Sequence, residues 1–570
     1  MGVGPAIFES AGKRTEHFVP GSYSRSNNVT SPSGVSAGNL CIIGTASSGK
    51  PKNVYEFATI GDAQTVLGSG ELLEGVAFAF SGSNEYVPQK VMAIRVNKGT
   101  QGKATLKSGD VDVLTLTAWD YSAQTNQLKI KVEDGSIEKS KKVTVVFKDS
   151  VIEHDNIIKP SLQVIGTCEQ PTVTINNDSM ILSGTDEEGG AITEIIKFDD
   201  FPTITDIVTK INDTDYFTAI SQDTDEKSLS KELDTVSSID ISEPVILYSN
   251  FKVFKDVLSS IEYIAAVEDN GQTRTVPDNS SFVYFTGGSS TPATIEDWSD
   301  ALAELEAHDI QIIATPSTDE DVQVLIANHC TTMSSTINRK ERTCWLGGPI
   351  NQTDEEALTK AREFNNKLVS YAADTVIVAN PITGATQTAP GAKLACMLAG
   401  IESSISINMP LTNKTLKVLG FAKTRQLPNM EKLIKGGVVV CNPSPDDVSN
   451  FVVIRSLTTY QSEDLISNER SMTREDLYMN RDLRKRFARP VGSPNVLSTA
   501  SILATLNDAA KDWASAGLII PSDSNENVWN KSVKIDGDKI YITFARYLTA
   551  PLNFAFITAT NHVYKSTVEV

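Results

Sequence analysis

Residues 310–316 read IQIIATP, and the pattern returns as TCWLGGP at 343–349, TVIVANP at 375–381 and GVVVCNP at 437–443. Each is a short apolar run that ends at a proline, which has no N–H with which to extend a ladder. FVYFT at 282–286 shares the apolar character. Helix signals lie between these runs. Thr294 stands three residues ahead of Asp297, with Ile295, Trp298, Leu302 and Leu305 at helical spacing. Thr353 stands three ahead of Glu356, followed by Leu358, Ala361, Phe364 and Leu368. A threonine hydroxyl that caps the third helical residue, whose carboxylate reaches back, starts a helix. Strand, helix, strand from 282 to 445 predicts an α/β layer with a largely parallel sheet.

On the N-terminal side, residues 39–97 form the first part of this core. They hold a strand at Leu40–Ile43, helical stretches through TIGDAQTVLG and ELLEGVAFAF, and a strand at KVMAIRV. Residues 98–200 change to alternation. LKIKVEDG (128–135) sets Leu128, Ile130 and Val132 against Lys129, Lys131 and Glu133, and KKVTVVF (141–147) repeats the pattern beyond Asp134-Gly135. That is a hairpin signal, and the block reads as an inserted, β-rich outer module. Residues 201–285 are a second, mixed region. Residues 286–435 read as the α/β middle domain and 436–551 as the C-terminal domain. The latter holds a long charged helix near 464–488, a shorter helix near 498–514 and a hairpin about Asp536-Gly537. The ends, 1–38 and 552–570, read as arms. The fold class expected is multi-domain α/β and α+β: an α/β core with mixed sheets, an inserted all-β outer module, and extended N- and C-terminal β arms.

Fifty-one Lys and Arg against 71 Asp and Glu leave 570 residues with a net charge of −20. Such a surface repels nucleic acid and anionic membrane, so no direct nucleic-acid partner is expected. No apolar run reaches bilayer length, so no membrane insertion is expected either. Six cysteines (41, 168, 330, 344, 396, 441) show no zinc spacing and are expected as buried free thiols. The first residues lack a charged-then-apolar leader, so synthesis and folding in a cytoplasm are expected.

Several motifs suggest chemistry and fail on context. GTASSGK at 44–50 fits the start of a phosphate loop, but Pro51 replaces the hydroxyl residue that ligates magnesium and disfavours a helix at Lys50. GVSAG at 34–38 fits a nucleophile elbow, but the strand lies on the wrong side of the serine. The five histidines do not cluster, and adjacent His329 and Cys330 point about 100° apart on a helix. No catalytic residue, metal or cofactor is expected. Arg481, Arg484, Lys485, Arg486 and Arg489 form one dense basic run. They are either a solvated helix end, favoured by the helix dipole, or a docking face for an acidic partner. Strand-forming arms leave ladder edges open, and these recruit other chains or pair with each other.

PGSY (20–23), LCIIGTASSGKP (40–51), VYEFATIGDAQTVLGSGELLEGVAFAF (54–80) and VMAIRV (91–96) together resemble the N-terminal region of contractile-tail sheath proteins of bacteriophages. YFTGGSSTPATIEDWSDALAELE and ANPITGATQTAPGAKLACMLAG are similar to that family's middle region. GVVVCNPSPDDVSNFVVIRSLTTY and ITFARYLTAPLNFAFITAT are similar to its C-terminal region. The resemblance is weak over 98–285. It implies that G-x-A-x-x-G-x-P is a structural turn. It further implies a structural, non-enzymatic subunit of the virion tail, assembled in the host cytoplasm as stacked six-fold rings around a tail tube. Contraction of those rings drives the tube through the host envelope for DNA ejection. The partners implied are other copies, the tube protein, and baseplate and tail terminator proteins. Pro20, Gly21, Tyr23, Phe554, Phe556 and Val568 would belong to arm strands added to neighbours, and the basic run would face the tube. Two alternatives stand beside this reading: a P-loop enzyme, and the sheath of a phage-like bacteriocin or other contractile injection system.

Overall fold

Eight strands form the central sheet: β1 (Leu40–Gly44), β2 (Val54–Phe57), β3 (Val91–Arg95), β4 (Ile312–Ala314), β5 (Thr343–Gly347), β6 (Val369–Ala372), β7 (Val438–Pro443) and β8 (Phe451–Arg455). They lie in the order β8-β7-β6-β5-β4-β1-β3-β2. The computed structural model that shows this describes residues 6–10, 13–17 and 38–562, apart from 224, 226, 446, 489–490 and 492–497. The six inner strands are parallel, with Ile312 opposite both Leu40 and Thr343, Cys41 opposite Met92, Cys344 opposite Val369, and Tyr371 opposite Val438. Antiparallel β2 and β8 close the two edges.

Side-chain alternation along β1 builds both cores. Leu40 and Ile42 face helices Ile60–Leu67, Glu71–Phe80 and Gly391–Ser404; Cys41 and Ile43 face Ile295–Glu304, Glu320–Met333, Asp354–Phe364 and Leu427–Lys435. A sheet covered on both faces reads as continuous apolar runs, which is why these strands look alike in sequence. Both Thr294 and Thr353 make the expected capping boxes. Ile295 is exposed, and Ala301 fills the face assigned to it. Helices Glu71–Phe80 and Gly391–Ser404 meet at Gly400, where a Cβ would come within 2.0 Å of the Ala79 carbonyl oxygen.

Two apolar runs expected in this sheet lie elsewhere. The run at 375–381 contributes Val376–Ala379 to a separate antiparallel sheet with Thr386–Ala389 and Gly420–Phe421. Val369–Ala372 takes the sheet position instead. The FVYFT run gives Val283–Tyr284 to the inserted region. Burial makes such runs apolar whichever sheet they join, so periodicity alone cannot assign the partner. The pairing of β6 with β7 also runs across residue 436.

The insert leaves the core through a two-stranded neck, Gly99–Thr100 with Ser289–Ser290. Strands on both sides of residue 200 pair with one another. Val111–Ala118 pairs with Ile264–Asp269, and Lys129–Asp134 with Val283–Tyr284; helix Asn250–Ser259 completes this proximal module. The hairpin about Asp134-Gly135 is present, with Asp134 opposite Lys141. Pro160–Gly166 pairs with Phe217–Ser221 and Val245–Tyr248, and Glu169–Ile175 with Val236–Asp240. Helix Ile204–Asn212 fills this second core, the distal module. The distal module is itself inserted into the proximal one: Ser249 N–H donates to the Lys159 carbonyl at 2.9 Å where the chain enters and leaves.

Beyond β8 come helices Leu465–Asn468, Arg470–Ala488 and Thr499–Ser515, then the hairpin Trp529–Asp536 with Lys539–Ala545. At the other end Ala6–Ser10 pairs with Lys13–His17. Residues 549–562 form no strand.

Candidate functional site: an assembly interface and a buried joint

A phosphate loop works by pointing free backbone N–H groups at the ligand. In the turn at 44–51 those groups are spent inside the protein. Ala46 N–H donates to Asn97 Oδ1 at 2.9 Å and Gly49 N–H to Asp120 Oδ1 at 2.7 Å. Ser47 and Ser48 donate to the Ser69 and Leu67 carbonyls at 2.8 and 3.2 Å, and Lys50 N–H donates to Tyr55 Oη at 2.7 Å. Gly49 has φ +89°, which a side chain disfavours. The turn instead anchors the neck of the insert through buried Arg95. Its Nη1 donates to the carbonyls of Gly49 at 2.6 Å and Tyr121 at 2.8 Å, and its Nη2 to Ser290 Oγ at 2.9 Å. Of the GVSAG motif only Gly38 lies within the described residues.

His329 Nε2 accepts from Arg342 Nη1 at 2.9 Å. Burial, then the Arg342 charge, pushes its pKa down to about 4, so it is a neutral packing residue at neutral pH. All six cysteines are free thiols and five are buried. Among the described residues no His, Cys, Asp and Glu group could hold a metal ion.

The dense polar chemistry of the chain lies where helix Arg470–Ala488 joins the central sheet, and no motif announces it. Buried Glu402 accepts from Arg470 Nε and Nη2, both at 2.9 Å, and from Trp345 Nε1 at 2.8 Å. Arg470 also donates to Thr343 Oγ1 at 2.8 Å, to the Cys344 carbonyl at 3.0 Å and to Ser370 Oγ at 3.3 Å, and its guanidinium stacks 4.9 Å above the Trp345 ring. Burial raises the Glu402 pKa, but Arg470 and Arg474 outweigh it and hold the carboxyl below its ordinary value. One turn on, Glu475 is fully buried and neither carboxylate oxygen has a hydrogen-bond partner among the described residues. Burial pushes its pKa up to about 9, against the pull of Arg474 and Arg546. Further along, Asp482 accepts from Trp513 Nε1 at 2.8 Å and Arg486 Nε at 2.9 Å, tying the helix to Thr499–Ser515. The joint is one helix pinned to the core at its start and to the C-terminal layer at its end.

These contacts change the reading of the basic run. Arg484 pairs with Glu341, and Arg486 with Asp482 and Asp512. Arg481 is drawn inward and burial lowers its pKa. Lys485 is exposed, and Arg489 lies outside the described residues. Two charges of the run, those of Arg484 and Arg486, are thus engaged inside the chain, by Glu341 and Asp512 far along it and by Asp482 one turn back on the same helix.

The C-terminal arm is anchored and then released. Asn553 Nδ2 donates to Glu469 Oε1 at 2.9 Å, and the Arg455 guanidinium lies 5.7 Å from the Phe554 ring centroid. Beyond that the chain presents apolar groups to solvent: Leu552 is 88%, Phe554 64%, Phe556 94% and Ile557 89% exposed. The hairpin 529–545, shortly before these residues in the chain, is two-stranded among the described residues, so the outer edges of both its strands are open there. Neither end pairs with the other among the described residues. Pro20, Gly21, Tyr23 and Val568 lie outside them.

Residues 291–459 match the phage tail sheath protein central domain. The chain is 26% identical over 471 residues to the tail sheath protein of Bacillus phage SP01, covering 77% of this chain and 80% of that one. It is 25% identical over 493 residues to a protein of Enterococcus phage phiEF24C provisionally named a tail sheath protein, covering 81% and 83% respectively. The fold is similar to the crystal structure of a sheath tail protein from Desulfitobacterium hafniense, with TM-score 0.53, 14% identity, and 93% of this chain and 100% of that chain covered.

Proposed function

We propose that this chain, a member of the phage tail sheath family, is the subunit of a contractile sheath that polymerises as stacked hexameric rings around the tail tube. On this reading the rings shorten to drive the tube through the host envelope for DNA ejection, and the chain catalyses no reaction. Its partners would be its own copies, the tube protein, and the baseplate and terminator proteins at the two ends. The observation that carries the proposal is the pair of complementary open features in the last fifty residues: an exposed apolar segment at 552–557, and a hairpin at 529–545 whose outer edges are unpaired among the described residues. Burying one such side chain gains about 1.5–3 kcal/mol, and strand addition satisfies the open ladder. A neighbour's arm supplies both at once.

Such tethers let packed faces separate and re-form while the lattice stays connected, as bistable assemblies require. The tube contact would fall on the C-terminal layer. Weak charged contacts at the rim of helix Arg470–Ala488 suit a sliding interface, since exposed ion pairs are worth about 0–1 kcal/mol. Removing residues 552–570, or 1–19, should leave a folded monomer that builds no tubes in negative-stain micrographs, whereas the full chain builds tubes of uniform width. Tubes from both truncations would refute the arm reading; single particles from the full chain at high concentration would refute assembly itself.

A further inference from the structure

The net charge of −20 is concentrated in one module. Residues 159–249, the distal module, hold 18 Asp and Glu against five Lys and Arg, a net of −13. The proximal module, 98–158 with 250–290, is of similar size and holds 14 acidic against 12 basic residues, a net of −2. Two neighbouring β modules thus differ sharply in charge within one chain. Among the described residues the distal module's own ion pairs are Lys159–Asp223 at 3.0 Å and Lys231–Asp199 at 2.7 Å. Glu187, Glu188, Asp200, Asp213, Asp215 and Glu243 are exposed.

Some of the module's carboxylates serve its fold, since Asp206 completes a capping box with Thr203 and Asp234 accepts from Asn250 N–H at 3.0 Å and Phe251 N–H at 2.9 Å. The six exposed ones named above take no such part in the fold of the module. Its core of Val164, Val173, Leu182, Ile196 and Phe217 is apolar, and like charges at such density oppose a compact state. The effect of this charge is therefore sought outside the chain. In an assembly of identical copies every distal module has counterparts of the same sign, so the force between them is repulsive whatever their orientation. Resting on the assembly proposed above, we infer that the distal module is a polyanionic spacer that acts on the same module of other copies. It resists their close approach and makes assembly dependent on ionic strength. Salt weakens the force because the screening length falls from about 10 Å at 0.1 M to about 3 Å at 1 M.

The test compares the full chain with the six-site variant Glu187→Gln, Glu188→Gln, Asp200→Asn, Asp213→Asn, Asp215→Asn and Glu243→Gln. Repulsion scales with the product of the two charges, so a module changed from −13 to −7 keeps roughly a third of it. Polymer yield is measured by sedimentation and negative stain between about 0.02 and 0.5 M NaCl. The expected result is a critical concentration that falls several-fold with salt for the unaltered chain and far less for the variant, which assembles readily at low salt. A second variant, in which a short turn replaces 159–249, should lose the module's share of the salt response and covers misfolding of the first. Polymerisation of all three with one common salt dependence overturns the spacer and leaves the assembly standing. Absence of polymer from the unaltered chain at every salt overturns both.

Discussion

Buried Glu475 and half-buried His329 are titratable groups whose linkages have opposite signs. The Glu475 pKa is about 9 in the fold, above its ordinary value of 4.5. Between those values the folded chain holds a proton that the unfolded chain has released, so this group's contribution falls as pH rises through that window. Glu475→Gln keeps the shape and the neutral state, and should flatten the alkaline limb of stability measured by urea denaturation from pH 5 to 9. An unchanged limb would show that Glu475 is charged in the fold. The His329 pKa is about 4, below its ordinary 6.5, so its contribution is present above the unfolded value and is lost as pH falls through about 4. Arg470 is a different case, a buried cation whose partners span three elements. Arg470→Ala removes the guanidinium that hydrogen-bonds Glu402 and leaves the carboxylate to Arg474, whose Nε stands 3.6 Å away, and should cost about 3–5 kcal/mol in chemical denaturation. Glu402→Gln retains an acceptor for Arg470 and should cost less.

Helix Arg470–Ala488 shows what a linear sequence conceals. Its cations cluster in the chain, yet Arg484 is answered by Glu341 and Arg486 by Asp512 as well as by Asp482 on the same helix. Replacing Arg484, Lys485 and Arg486 by Ser should therefore destabilise the monomer by about 1–3 kcal/mol, because Glu341 and Asp482 are buried and lose partners. A urea midpoint unmoved by this change, alongside weakened assembly, would restore the tube-facing reading in its simple form. Local signals were legible: the capping boxes at Thr294 and Thr353, the hairpins about Asp134 and Asp536, and the strands from Leu40 and Val438 all depend on residues within a few positions. Partner choice was not. Val376–Ala379 and Val369–Ala372 are both apolar, and their sheets are decided by contacts far along the chain. The joint was hidden for the same reason, since Glu402, Arg470 and Trp345 lie on three separate elements.

The whole molecule is a core with one module inserted into it and a second inserted into the first. Each insertion enters and leaves at one place. Thr291 N–H donates to the Lys98 carbonyl at 3.1 Å at the core, and Ser249 N–H to the Lys159 carbonyl at 2.9 Å at the inner junction. Each module also has its own apolar core, and Arg274 bridges the two, donating to the Leu233 carbonyl at 2.6 Å and the Asn177 carbonyl at 3.0 Å. Units with separate cores and adjacent ends can fold alone, and their removal does not open the parent sheet. Replacing 160–248 by a short Gly-Ser turn should thus remove one calorimetric transition and leave that of the α/β core within a few degrees. The proximal module should be weakened, because Arg274 loses the carbonyls it bridges to. A joint collapse of all transitions would mean that the modules and the core fold as one cooperative body, and the outer region could not then vary independently of the sheet that carries it.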